Sequence, residues 1–164
     1  MTGVILAAGV GSRLRPLTDA RPKCLLTVGG KPLLQRALEA LLAAGIHRCV
    51  IVTGYLGDQV ERTVNNLHLS MDVEFIRNPA YNETNNNYSL WLTRPVVGGR
   101  ELLLMDGDIL FHPEIIRRLL ASPYPDALVI RTSDTLGHEE IKCELDTQGV
   151  VKRIGKHLEP RDAA

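Results

Sequence analysis

Aromatic side chains are scarce: one Trp, four Tyr and two Phe make up 4% of the 164 residues. So few rings leave little for stacking on successive bases. Basic and acidic residues balance at 19 each, so no net field draws a polyanion, and a nucleic-acid partner is excluded. Cysteine is sparse as well. Cys24, Cys49 and Cys143 are odd in number, far apart and set among apolar residues. That pattern excludes a disulfide frame or a zinc cluster and fits buried thiols in a reducing compartment. No apolar run approaches the ~20 residues a membrane span needs. Met1-Thr2-Gly3 lacks the basic start of a secretory signal, so a cytoplasmic location with no membrane partner is expected. The five histidines are scattered, which gives no basis for a histidine metal site or a Ser-His-Asp triad.

What is present is a chain of 45% hydrophobic residues, enough for one domain with a proper core. Val4-Ile5-Leu6 reads as a buried strand. A helix follows from Lys31-Pro32, with Leu33, Leu34, Ala37, Leu38, Leu41 and Leu42 on one face before Gly45 ends it. Residues 49–53 read as a central parallel strand, 58–66 as a more polar helix and 73–76 as the next strand. A short helix at 88–92, a buried strand at 101–105, a helix after Pro113 and a strand at 127–131 continue the alternation. Residues 141–145 and 150–154 read as a hairpin around a four-residue polar turn, and 159–164 as a loose tail. The fold class is therefore α/β, with a mainly parallel sheet, helices on both faces and a C-terminal hairpin.

Ligands of open α/β sheets gather outside the carboxyl ends of the strands. Three chemically loaded stretches fall there. The first runs from Leu6 to Lys23. Gly9 and Gly11, preceded by Ala7 and Ala8, let backbone N–H groups approach a ligand, while Ser12, Arg13, Arg15 and Lys23 add a hydroxyl and three cations. A polyphosphate suits this loop. It is no dinucleotide fingerprint, because Leu14 stands where the third glycine belongs, and no Gly-Lys-Ser/Thr follows to make a Walker A loop. The second stretch is Asp106-Gly107-Asp108, which suits Mg²⁺ or serves as a plain Asp-Gly turn. The third, 82–89, is rich in amides that either read a base edge or cap the next helix through Asn86 or Asn87.

The run LAAGVGSRLRPLTDARPKCLLTVGGKPLL resembles the signature of the nucleotidyltransferases that make sugar nucleotides and related activated compounds. The likeness continues through the helix after Pro32, the Gly-Tyr at 54–55, the Asn-x-Tyr-Ser-Leu tract ending at Leu90, and Gly107-Asp108. It covers nearly the whole chain. The tract at 85–90 looks most like that of the bacterial phosphocholine cytidylyltransferases and their phosphonate or sugar-phosphate relatives.

The resemblance implies a Rossmann-like nucleotide-diphospho-sugar transferase fold over 1–164. It also implies Mg²⁺-dependent transfer of CMP or UMP from an NTP to a small phosphorylated acceptor, with release of pyrophosphate. By the same likeness, Ala7, Ala8 and Gly9 hold the base and ribose, and Gly11, Ser12 and Arg13 wrap the triphosphate. Lys23, with Arg13, is the catalytic cation between donor and acceptor. Asp108, rather than Asp106, holds the metal, Asn87 and Ser89 face the base, and Lys156 lies near the acceptor phosphate. Members of this family usually run longer, their later part supplying a second metal aspartate and more of the acceptor pocket. A chain stopping at Ala164 is thus expected to lack part of the acceptor side. The alternative is a non-catalytic NTP-binding module. The acceptor, the base and the oligomeric state are left open.

Overall fold

The N-terminal apolar run forms β1 (Thr2–Ala7), all six residues of which are buried. β1 is the hinge of the architecture in the computed structural model, which describes residues 1–132, 137 and 140–158. Two-residue strands β2 (Thr27–Val28) and β3 (Lys31–Pro32) pair across Gly29-Gly30. The first helix, α1 (Leu33–Ala43), therefore starts just after Pro32 and not at Lys31-Pro32. β4 (Arg48–Thr53), α2 (Gly57–Asn65) and β5 (Asp72–Arg77) follow as read. Then come α3 (Asn86–Leu92), α4 (Arg94–Val97), β6 (Leu102–Asp106) and α5 (Glu114–Leu120). No helix among the described residues is long and apolar enough to cross a membrane.

The sheet has the order β5-β4-β1-β6, and every pairing in it is parallel. Alternation gives it two faces. On one, Val4, Leu6, Val50 and Val52 pack with Val97, joined by Leu90 and Val96 from α3 and α4. On the other lies α1: a Cβ on Gly3 would stand 2.8 Å from Leu41 Cδ1, so glycine lets the helix sit close. Leu34, Leu38 and Leu41 are fully buried, each contributing about 1.5–3 kcal/mol of apolar burial.

Two sequence expectations fail here for physical reasons. Residues 101–105 read as a buried strand, yet among the described residues β6 is an edge strand paired with β1 alone. Its register sets Leu102 and Leu104 opposite Thr2 and Val4, and these two leucines remain 38% and 43% exposed. Residues 127–131 read as a strand, but among the described residues they join no ladder, and Leu128 and Val129 are half exposed. A β-branched run becomes a strand only when a neighbour accepts its backbone hydrogen bonds.

The chain divides into two units, 1–117 and 118–164. In the second, β7 (Lys142–Leu145) and β8 (Val151–Gly155) form the expected antiparallel hairpin. Its turn is fixed by Asp146, whose Oδ1 accepts from the amides of Gln148 and Val150, both at 2.9 Å. The expected tail at 159–164 lies outside the described residues.

Between β4 and α2, Gly54 allows a close crossing. A Cβ there would lie 2.6 Å from Tyr81 Cβ and 2.7 Å from the Ala8 carbonyl oxygen. Gly54→Ala is expected to lower stability by about 1–3 kcal/mol, read from urea unfolding. A wild-type midpoint would show that the segments around Gly54, Ala8 and Tyr81 are free to separate.

Candidate functional site

From β1 the chain moves outward through β4 to β5, then returns to place β6 on the other side of β1. β1 and β6 are parallel neighbours, so the loops that follow them stand side by side at the carboxyl end of the sheet, and a crevice opens there. A cavity of about 340 Å³ occupies it. Ala7, Ala8, Gly9 and Gly11 line it from the first connection, and Gly107 and Asp108 from the second.

The loop over 8–22 is held in place by its own bonds and by α2. Gly11 adopts a left-handed conformation (φ 68°), and its carbonyl accepts from Thr18 Oγ1 at 3.0 Å and from the Leu14 amide at 2.9 Å. A side chain at position 11 would also press on Thr18 and Lys23. The Tyr55 amide donates to the Ala8 carbonyl at 3.0 Å, and its hydroxyl donates to the Asp19 carbonyl at 2.8 Å. Gln59 Nε2 donates to the Ala20 carbonyl at 3.2 Å. Lys23, in the short 3-10 turn Lys23–Leu25, therefore enters the cavity from a braced segment.

Gly107 closes the opposite wall. Its amide donates to the Leu6 carbonyl at 2.8 Å, and a Cβ would meet Ala7 and Ile5 at 3.1 and 3.2 Å. This close contact directs Asp106 and Asp108 at the loop. Lys23 Nζ is ion-paired with Asp108 Oδ2, and Asn86 Nδ2 donates to Asp106 Oδ1 at 2.9 Å. Partial burial raises the pKa of Asp106 above the ordinary carboxylate value. The neighbouring Asp108 charge adds to the rise and Lys23 opposes it. Cys24 also lines the cavity, but burial pushes its thiol up to about 12, so it is no thiolate nucleophile at neutral pH.

Of the residues singled out in the sequence, Ala7, Ala8, Gly9, Gly11, Arg13, Lys23 and Asp108 line this one cavity. Ser12 is exposed in the adjoining 3-10 turn Ser12–Leu14 and is not among the lining residues. In the amide-rich tract, Asn86 reaches the cavity, while Asn87 is exposed beside it. Asn85, and neither Asn86 nor Asn87, caps α3, its side chain accepting from the Asn87 amide at 3.1 Å. Ser89 is buried, with its hydroxyl 3.0 Å from Asn78 Nδ2, so it belongs to the scaffold of that loop and not to the lining. Lys156 follows β8 in the second unit, where its carbonyl accepts from Lys142 Nζ at 3.0 Å.

Among the described residues no group of three or more His, Cys, Asp or Glu gathers to hold a metal ion. The carboxylates in the cavity are the pair Asp106 and Asp108. A Mg²⁺ ion held by one or two carboxylates and completed by water and phosphate oxygens fits that donor set.

A family model described as a MobA-like NTP transferase domain matches residues 3–141. The chain belongs to this family. The choline-phosphate cytidylyltransferase of Haemophilus influenzae is 34% identical to this chain over 154 residues, covering 94% of this chain and 62% of that protein. The CTP:phosphoglutamine cytidylyltransferase of Campylobacter jejuni is 31% identical over 139 residues, 81% of this chain and 53% of that protein. Among solved structures, the inositol-1-phosphate CTP transferase from T. maritima matches with a TM-score of 0.76 at 28% identity, covering 96% of this chain and 64% of that one. The chain spans less than two thirds of each of these three proteins.

Because Asp106 ionises less readily in the folded chain than in the unfolded one, its charge opposes folding above the ordinary aspartate range. That opposition vanishes as pH falls below the range. Asp106→Asn keeps an acceptor for Asn86 and removes the charge. It should unfold at higher urea than wild type at neutral pH and lose the advantage on acidification. An advantage that grows on acidification would contradict the assignment.

Proposed function

We propose that this chain is a nucleotidyltransferase that moves a nucleoside monophosphate, CMP or UMP, from an NTP to a small phosphorylated acceptor. The observation that carries the reading is the convergence of the glycine loop, Lys23 and the Asp106/Asp108 pair on one cavity at the carboxyl end of β1 and β6. Family membership supports the reaction class, and CTP in the names of relatives supports the choice of base. Their acceptors carry choline, glutamine and inositol, so a phosphoryl group is the shared feature.

In the reaction an acceptor oxygen forms a bond to the α-phosphorus while the bond to the bridging oxygen of pyrophosphate breaks. Such transfer depends on alignment and charge more than on covalent help from the protein. Backbone of Ala7, Ala8 and Gly9 holds base and ribose, and Gly11, Ser12 and Arg13 hold the triphosphate. Lys23 neutralises charge where donor and acceptor oxygens meet. Asp108, with Asp106 beside it, would hold Mg²⁺, which when bound supplies charge neutralisation to the phosphates. Asn86 and Asn87 offer amides to the base, with Ser89 holding their helix in place through Asn78. Lys156 is assigned to the phosphoryl group of the acceptor. The expected location is the cytoplasm.

Pyrophosphate release is the test, using the four NTPs, Mg²⁺, phosphocholine, 2-aminoethylphosphonate and several sugar 1-phosphates. Lys23→Ala should lower turnover roughly 10²- to 10³-fold with folding intact, the loss typical of a preorganised charge. Near-normal turnover in that variant would sink the role of Lys23. Thermal stabilisation by NTP without pyrophosphate release for any acceptor would leave a nucleotide-binding module.

A further inference from the structure

A second cleft, of about 490 Å³, lies behind the braced loop, bounded by Arg21 and Thr27 on one side and by Gln59, Arg62, Thr63 and Asn66 on the other. Its volume falls in the range of small-molecule sites. None of the residues lining it is acidic, while two are arginines.

The neighbouring acids are already committed. Helix α2 carries Asp58 and Glu61, and both are ion-paired with Arg77 at the end of β5, Glu61 at 3.0 Å. Asp58 is held below its ordinary pKa first by Arg77 and only last by Arg62. On the loop, Asp19 is the sole acid between Gly9 and Val28, and it pairs with Arg15 at 3.3 Å. Lys23 is taken by Asp108. Neither Arg21 nor Arg62 makes an ion pair among the described residues.

Two guanidiniums facing one cleft without carboxylates are a forked donor set for a phosphate, which each can engage in two parallel bonds. Thr27 adds a hydroxyl and Asn66 an amide. Leu25 is buried and Pro32 half-buried, and the two give the cleft an apolar part that a bare inorganic ion would leave uncovered. We propose that this cleft binds the phosphate monoester of a small organic molecule, with Arg21 and Arg62 on the phosphate and Leu25 and Pro32 against its carbon skeleton. The site is separate from the cavity of Lys23 and Asp108 and does not depend on how that cavity is used.

The two sites share a wall. Arg21 is two residues before Lys23, and Gln59 of the second cleft donates to the Ala20 carbonyl.

Amide-resolved NMR titration of the whole chain tests this. The probes are inorganic phosphate, phosphocholine, glucose 1-phosphate and CMP. At least one organic phosphate should move the Thr63 and Asn66 amides saturably and bind more tightly there than inorganic phosphate. Arg21→Met and Arg62→Met should each weaken that binding roughly tenfold or more, as loss of a charge-assisted bond does. Shifts at Gly9 and Gly11 report the first cavity separately. Both arginines are exposed, so the variants should keep the wild-type spectrum elsewhere. Should either variant fail to fold, Arg→Lys at that position retains the charge without the fork and should bind at intermediate strength. Absence of saturable shifts at Thr63 and Asn66 with every probe would overturn the proposal. So would binding indifferent to both arginines, or inorganic phosphate binding as tightly as the esters.

Discussion

The structure depends on the place of β1 between two parallel neighbours reached in opposite directions. A strand at the edge would have one connection beside it and a flat flank. A strand with β4 on one side and β6 on the other has a loop following a parallel neighbour beside its own loop at the carboxyl end. The gap between them is a product of chain topology, present before any side chain is chosen. Close packing then narrows it: Gly107 lies against Ala7 and Ile5, and Gly54 against the Ala8 carbonyl, so both walls stand at backbone distance from the end of β1.

Charge is distributed across that gap with a clear asymmetry. The loop contributes cations, the strand end contributes two aspartates, and one ion pair between Lys23 and Asp108 spans them. An ion pair of this kind, about a third exposed on each side, contributes little to stability. It keeps both partners oriented, and a ligand carrying phosphate and a cation can replace each half of it with a better one. The raised pKa of Asp106 comes first from its partial burial and then from the Asp108 charge beside it, with Lys23 opposing both. Bracing of the loop by Tyr55 and Gln59 means that this arrangement exists before a substrate does.

Much of this was legible in the chain itself. Continuous apolar runs marked β1 and β4, helical spacing marked α1, and the strand-end rule brought Asp106 and Asp108 to the glycine loop. The failures have a common cause. The run Leu102-Leu103-Leu104-Met105 is apolar throughout, and composition alone does not say which face a neighbouring element covers. The segment 127–131 has strand chemistry without a ladder among the described residues. Asn85, Asn86 and Asn87 are chemically identical, so only the backbone decides that the first caps the helix and the second reaches the cavity. Tyr55 and Gln59 as clamps were not legible at all. Their partners lie 36 to 39 positions away and are main-chain carbonyls, which carry no residue signature.

The wall of the cavity also includes a sulfur atom. Cys24 sits directly beside Lys23, a position in which a lysine ammonium would ordinarily draw a thiol toward thiolate. Here burial dominates, and the Asp108 charge adds to it, so the group stays protonated. The result is a cavity wall that carries sulfur in its neutral thiol form, and it is the thiolate that attacks electrophiles and starts the climb to sulfenic acid.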